Sequence, residues 1–132
     1  MLGVAILDVV VGLIFLGVLI PLVIRKIGRN ALYGFRTRET LASDKAWYAV
    51  NYGAAKTGVY MSIGMVIFGI VLALLGIVKA LLPSTMSAHM EDAVLIAGIG
   101  APDVFIIGLI VAMNIELKKL DSDWHADQEE MS

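Results

Sequence analysis

The sequence predicts an all-α integral membrane protein with three transmembrane helices and an amphipathic interfacial helix between the first and second. Three observations support this fold class. Of the 132 residues, 59% are hydrophobic and 17% are charged, whereas soluble domains average about 45–50% and 25%. The apolar residues form three long segments, and most basic residues lie between the first two. Because a domain of this size buries only about two-thirds of its surface, we expect lipid to cover the rest.

The first predicted span covers residues 2–24, close to the roughly 20 residues that a bilayer requires. Its single charged residue is Asp8, which we expect to lie near the outer surface in contact with water. The first basic residue is Arg25, so the segment lacks the basic start of a signal peptide. We therefore expect this span to be retained in the mature protein.

The second predicted span, residues 57–79, contains no charge before Lys79, and the third, residues 93–116, has Asp103 near its middle. An ionisable group at this depth is costly and often functional, so Asp103 is a candidate. Two alternatives remain: its carboxyl is protonated or bonded inside the bundle, or the Gly- and Pro-containing stretch 98–102 interrupts the helix. In the second case Asp103 would cap a new helix.

Small residues four positions apart occur in both later spans. Such pairs let helix backbones approach closely in lipid, within one chain or between chains. They are Gly58 and Ser62, Gly69 and Ala73, Ala97 and Ala101, and Gly108 and Ala112.

Basic residues determine the expected orientation. The connection between the second and third spans, residues 80–92, has no Lys or Arg. Cytoplasmic connections are enriched in these residues, so we expect the first connection and the C-terminus to be cytoplasmic, with the N-terminus outside. Residues 1–120 would form one membrane domain and residues 121–132 an acidic cytoplasmic tail. The basic residues of the first connection are Arg25, Lys26, Arg29, Arg36, Arg38, Lys45 and Lys56.

Residues 25–56 predict a loop followed by the interfacial helix. Thr40 or Ser43 can cap that helix, and Asp44 in its first turn suits the helix dipole. The helix would run to about Lys56. Since aromatic and basic residues favour the headgroup region, we expect contact with anionic lipid. One face of this helix contains Trp47, Val50, Asn51 and Ala54.

A motif of glycine, asparagine, aromatic, basic and hydroxyl residues lies in this segment. It comprises Ile27, Gly28, Arg29, Asn30, Tyr33, Gly34, Phe35, Arg36, Thr37, Thr40, Leu41, Ser43, Asp44, Trp47 and Asn51. The motif resembles the signature of the SdpI family of small bacterial integral membrane proteins, and it matches the C-terminal module of an SdpI-type immunity protein. The resemblance implies a polytopic protein of the bacterial plasma membrane that acts in toxin-peptide resistance or membrane sensing, by binding a peptide or protein partner. The family prototype has additional spans before this module, and Arg38-Glu39 replaces a common Pro.

The motif also supplies the candidate residues for binding a partner or lipid. Arg29 and Arg36 have planar guanidinium groups that suit phosphate or carboxylate, and Gly34 permits a tight turn that would aim Arg36. In the alternative, the residues only attach the loop to the bundle: Arg36 bonds backbone carbonyls, Thr37 caps and Trp47 anchors at the interface. The candidates are Arg29, Asn30, Gly34, Arg36, Thr37, Trp47 and Asn51.

Several functions are not expected. The chain has no cysteine, and residues 121–127 do not fit a calcium loop, because Ala126 replaces the required Gly and Ser132 the required Glu. His89 and His125 would lie on opposite sides of the membrane. We therefore expect no metal, no cofactor and no catalytic residue, and topology explains the basic loop without nucleic acid.

Three functional hypotheses follow. The first is an SdpI-like protein that binds a peptide or protein partner. The second is a small accessory subunit of a larger membrane complex, with homo-oligomers also compatible with the sequence. The third and weaker one is a proton or ion relay through Asp103.

Overall fold

The computed structural model describes the backbone of residues 1–30 and 32–130. It describes their side chains except at residue 85 and at residues 124–130. Within this part of the chain, the helices are α1 (Leu2–Val23), α2 (Asp44–Leu81) and α3 (Ala88–Glu130), with a short 3₁₀ turn at Pro83–Thr85. All three α-helices are long and apolar enough to cross a membrane. The predicted all-α fold with three helices long and apolar enough to span a membrane is thus confirmed.

The predicted interfacial helix is not present as a separate element. Residues 44–56 are instead the first turns of α2, which continues without a break for 38 residues. Trp47 is fully buried and therefore does not face lipid headgroups. Helix α2 is continuous because no proline interrupts it. Trp47 is buried because the helix face that contains Trp47 and Asn51 packs against the preceding loop.

The third span is continuous through the stretch that contains Pro102. Helix α3 has 43 residues and includes this proline in its interior, as membrane helices often do. Asp103 is therefore not a helix cap, and its side chain is exposed. The backbone of the acidic tail is helical to Glu130. The side chains of Trp124 and His125 lie outside the described residues.

The chain divides into two compact units. Unit 1 comprises Met1–Gly17 and Tyr60–Ile107, and unit 2 comprises Val18–Val59 and Gly108–Ser132. Each unit therefore contains a segment of all three helices.

In unit 1, two glycines allow α1 and α2 to pack backbone against backbone. A Cβ atom on Gly12 would lie 3.1 Å from the carbonyl oxygen of Ser62, and one on Gly69 would lie 2.9 Å from that of Ala5. On another side, the Phe15 and Phe105 rings pack with centroids 4.3 Å apart. Gly69 is one of the predicted small packing residues, and it contacts its own chain.

Unit 1 also contains Asp8, whose predicted position was wrong. Its side chain has no exposed surface, although it was expected to be in contact with water. The reason is the face of α1 on which it lies: Asp8 Oδ2 lies next to Gly98 of α3, inside the packed helices.

In unit 2, the segments of the three helices pack around Gly58, another of the predicted small residues. A Cβ atom on Gly58 would lie 2.6 Å from Leu19 Cδ1 and 2.7 Å from Leu109 Cδ1, so α1 and α3 both contact α2 here. Ala54 and Ala55 are fully buried. This packing supports the loop between α1 and α2, which contains the sequence motif.

Candidate functional site: the motif loop

The motif loop, residues 24–43, begins where α1 ends. The N–H of Arg25 bonds to the carbonyl of Leu22 at 3.2 Å, and that of Lys26 bonds to the carbonyl of Pro21 at 3.1 Å. With Arg25 in the left-handed region at φ 53°, this is a Schellman motif. The Arg25 guanidinium lies 4.8 Å from the ring centroid of Tyr52. This cation–π contact connects the end of α1 to α2.

Asn30 organises the next turn. Its Oδ1 accepts hydrogen bonds from the N–H groups of Leu32 and Tyr33, both at 2.8 Å. Its Nδ2 donates to the carbonyl of Gly28 at 2.8 Å. Such local bonds are the reason that asparagine favours turns. The Tyr33 hydroxyl then donates to the carbonyl of Val18 on α1.

Gly34 is the point at which the loop contacts α2 most closely. Its φ is +101°, a region that side chains other than hydrogen rarely adopt. A Cβ atom there would lie 3.0 Å from Trp47 Cη2 and 2.5 Å from Asn51 Oδ1. Trp47 in turn donates from Nε1 to the carbonyl of Ile27 at 3.2 Å. Both the backbone conformation and the contact therefore require glycine.

Asn51 binds the main chain of the loop through its side-chain amide. Oδ1 accepts from the Phe35 N–H at 2.7 Å, and Nδ2 donates to the Phe35 carbonyl at 3.3 Å. Nδ2 also donates to the carbonyl of Trp47 one helical turn earlier, at 3.0 Å. Asn51 is 2% exposed, so these bonds are shielded from water.

A pair of threonines closes the following turn. The Thr37 N–H donates to Thr40 Oγ1 at 2.9 Å, and the Thr40 N–H donates to Thr37 Oγ1 at 3.2 Å. The buried Thr40 hydroxyl lies 2.9 Å from the Phe35 carbonyl, to which it donates. Thr37 thus stabilises the turn without capping a helix.

Ser43 caps α2, one of the two predicted caps. Its Oγ accepts from the Ala46 N–H at 3.0 Å, and Asp44 follows in the first turn. Arg29 connects this end of the helix to the loop: it donates to the carbonyl of Leu41 at 2.9 Å and pairs with Asp44 at 3.1 Å.

Arg36 differs from the other motif residues. Its side chain is exposed, and among the side chains and backbone groups that the structure describes it has no hydrogen-bond or ion-pair partner. It does not bond backbone carbonyls, although its neighbours Phe35 and Thr37 are fixed by α2 and by the turn. The geometry therefore presents a guanidinium group on a rigid base. Arg38 is likewise exposed.

Glu39 is an exposed acidic residue beside these arginines. A hydrogen bond from its own backbone N–H lowers the pKa of its carboxyl, and a bond from the Thr37 hydroxyl adds to this effect, with a smaller contribution from the charge of Arg38. The carboxylate form is thus favoured by the same turn that positions Arg36.

An open groove lies beside the motif loop in unit 2, with a volume of about 420 Å³. Its lining surface is mostly apolar and includes three acidic residues and one lysine. Such a groove suits a segment of another chain that has apolar and basic side chains. It is lined by Glu39, Ala42, Ser43, Lys45, Ala46, Leu117, Leu120, Asp121 and Asp123.

One contact in this unit was not predicted. Gly53 lies against the side chain of Glu116 from α3, and Glu116 also bonds to Lys119 at 2.8 Å. The sequence signal was the glycine inside a helix, which often indicates close approach of another group. Across the part of the chain that the structure describes, no cluster of three or more His, Cys, Asp or Glu residues is placed to bind a metal.

The motif loop lies almost entirely within a segment that is similar to a known protein family. A family model described as the SdpI/YfhL protein family matches residues 26–118. The match covers more than half of the chain and includes nearly all of the motif loop, all of α2 and most of α3. No curated protein and no solved structure matches the chain.

Proposed function

Because the chain belongs to the SdpI/YfhL protein family, we propose that it is an SdpI-like membrane protein that binds a peptide or protein partner through the motif loop. Its role in this proposal is toxin-peptide resistance or sensing at a bacterial plasma membrane. The motif loop and the C-terminus are cytoplasmic and the N-terminus is outside, as the distribution of basic residues favours.

The observation that supports this proposal is the exposed guanidinium of Arg36. Other motif residues have contacts that hold the loop: Asn30, Thr37 and Asn51 form hydrogen bonds with the loop backbone, and Gly34 lies against α2. Arg36 makes no such contact among the described residues. A guanidinium held on a preorganised loop forms two parallel hydrogen bonds with a carboxylate or phosphate. We assign the anionic group of the partner to this position.

Anionic lipid headgroups are part of the same proposal. Arg25, Lys26, Arg36 and Arg38 are all exposed on the motif loop, and basic residues close to a span attract anionic cytoplasmic lipid. The first turns of α2 would then lie at the membrane surface while Trp47 remains buried. Lipid contact would position the loop, and Arg36 would select the partner.

The test compares Arg36→Lys with Arg38→Lys, a matched control at an equally exposed arginine two residues away. A peptide-sensitive bacterium expresses each variant at matched membrane levels and is challenged with a panel of secreted membrane-active peptides. We expect the wild type to protect against at least one peptide, and Arg38→Lys to protect equally. Charge-assisted bonds contribute about 1.5–3 kcal/mol, so Arg36→Lys should weaken binding about tenfold to hundredfold.

Equal protection by wild type and Arg36→Lys would contradict the role of Arg36. Absence of protection by the wild type against the whole panel would contradict the role in resistance.

The second candidate function is an accessory subunit of a larger membrane complex. The open groove between residues 39–46 and residues 117–123 favours it, because a mostly apolar lining with three acidic residues suits a segment of another chain. Purification in mild detergent distinguishes the two. A stoichiometric complex that is insensitive to Arg36→Lys supports the subunit hypothesis, whereas a complex lost in Arg36→Lys supports the motif-loop hypothesis.

A weaker third candidate is a proton or ion relay that uses Asp103. This carboxyl is exposed near the middle of the apolar part of α3, where ionisable groups are costly. In this candidate function Asp103→Asn abolishes transport into proteoliposomes, while the first two functions leave that variant active. No catalytic reaction forms part of any of these proposals.

A further inference from the structure

The carboxyl group of Asp8 is buried in unit 1, and the structure describes no hydrogen bond to it. Its side chain is 0% exposed. Within the described part of the chain, neither Oδ1 nor Oδ2 accepts a hydrogen bond. Buried polar atoms in native proteins almost always have a partner, so an unpartnered pair of oxygens requires an explanation.

Apolar side chains of α1 and α2 lie next to Asp8 at Gly98 of α3. A Cβ atom on Gly98 would lie 3.5 Å from Asp8 Oδ2, 2.9 Å from Leu72 Cδ1 and 2.6 Å from Val4 Cγ1. The three helices therefore meet at this point, and no hydrogen bond within the described residues reaches the carboxyl group. An ionised carboxylate without a partner is very unfavourable in such surroundings.

Charged groups on the neighbouring helices do not compensate Asp8. Lys79 of α2 pairs with Glu91 of α3, and Asp103 is exposed, five residues beyond Gly98. None of the ionisable side chains that α2 and α3 contribute to unit 1 forms a described bond to Asp8. These side chains are Tyr60, Lys79, His89, Glu91, Asp92 and Asp103.

A metal cation does not fit this site either. Calcium requires six to eight oxygen ligands and magnesium about six, whereas Val4, Leu72 and Gly98 offer no side-chain oxygen. The ligand that matches one buried carboxyl group in an apolar pocket is a proton.

We infer that Asp8 is an intramembrane proton-binding site. Its carboxyl group holds a proton while the three helices of unit 1 are packed at Gly98, and it exchanges that proton with water when they separate there. On release, the proton passes to a water molecule and leaves the carboxylate, which the packed site does not accommodate. Packing of unit 1 and occupancy by the proton are therefore coupled.

Infrared spectroscopy of the full-length protein in lipid tests this inference. At neutral pH we expect a carbonyl stretching band of a protonated carboxylic acid that is absent in Asp8→Asn and retained in Asp103→Asn. Transfer into deuterated buffer should shift this band, because the site exchanges its proton. A spectrum in which Asp8→Asn removes no such band overturns the inference, and so does a band that never shifts in deuterated buffer.

The pH dependence of stability gives a second, independent readout. If the folded protein holds a proton that the unfolded chain releases, stability falls as the pH rises. Asp8→Asn has no such proton, so its unfolding midpoint should fall less than that of the wild type between mildly acidic and alkaline pH. Parallel curves overturn the inference. If Asp8→Asn does not fold, Asp8→Leu supplies the same comparison.

Discussion

The side-chain amide of Asn51 bonds to both main-chain polar groups of Phe35, at 2.7 Å to the N–H and 3.3 Å to the carbonyl. The side chain of a helical residue thus forms the same two hydrogen bonds with a loop residue that the backbone of a neighbouring β-strand would form. Because a side-chain amide has the same donor and acceptor as a peptide group, asparagine fulfils this role with little adjustment.

Asn51→Ala should therefore destabilise the protein. It leaves the Phe35 N–H without its partner in a partly buried site and removes one of the two bonds to the Phe35 carbonyl, which Thr40 still binds; the loss costs about 1–3 kcal/mol. The measurement is the thermal unfolding midpoint in mild detergent. Asn114→Ala is the control, because that exposed amide makes a single bond to the carbonyl of Ile110; it should shift the midpoint much less. Equal shifts would show that the bonds to Phe35 contribute little.

Gly34→Ala should destabilise the motif loop through two effects. The backbone has a φ of +101°, which costs a residue with a Cβ atom about 1–2 kcal/mol. The new methyl group would also overlap Asn51 and Trp47. Gly28→Ala is the control, since its Cβ would lie 3.5 Å from the Tyr48 hydroxyl in ordinary contact. Proteolysis of the loop should accelerate in Gly34→Ala and not in Gly28→Ala. The same rate in both variants would argue against a fixed loop.

The orientation of the chain is testable with single cysteines, because the sequence contains none. Ser84 and Ala42 are both exposed, and they lie in the two different connections between spans. A cysteine at Ser84 should react with an impermeant maleimide on intact cells. One at Ala42 should react only after permeabilisation. The reverse pattern would place the motif loop outside the cell.

Glu39 should titrate at a lower pH than an ordinary glutamate. Its backbone N–H and the Thr37 hydroxyl lower the pKa by bonding to the charged form. The associated stability is present above the pKa of the unfolded chain and is lost as the pH falls through the lower folded value. Carbon-13 NMR of the labelled carboxyl measures this. Thr37→Ser should keep the low pKa and Thr37→Val should raise it; an unchanged value in Thr37→Val would exclude the threonine contribution.

Sequence patterns predicted the spans better than the side-chain environments. Long apolar segments define α1, α2 and α3 because backbone bonds must be satisfied inside lipid. The same patterns give the position of Asp8 along α1. They do not show that its side chain points inward, next to Gly98 of α3. Likewise, the composition around Trp47 suggested a headgroup position. Its actual partner is the Ile27 carbonyl, 20 residues earlier, and this distant contact has no local signal.

The motif loop is held largely through its own main chain. Asn51 binds the peptide of Phe35, Trp47 binds the carbonyl of Ile27, and Arg29 binds that of Leu41. Main-chain groups are the same in almost every amino acid, so these bonds tolerate replacement of the residues that they hold. The bonds that hold the loop therefore place no constraint on exposed side chains such as those of Leu32 and Arg38, which can be substituted while the scaffold is maintained. In this respect the loop resembles an antibody hypervariable loop, in which a constant frame presents a changeable recognition surface.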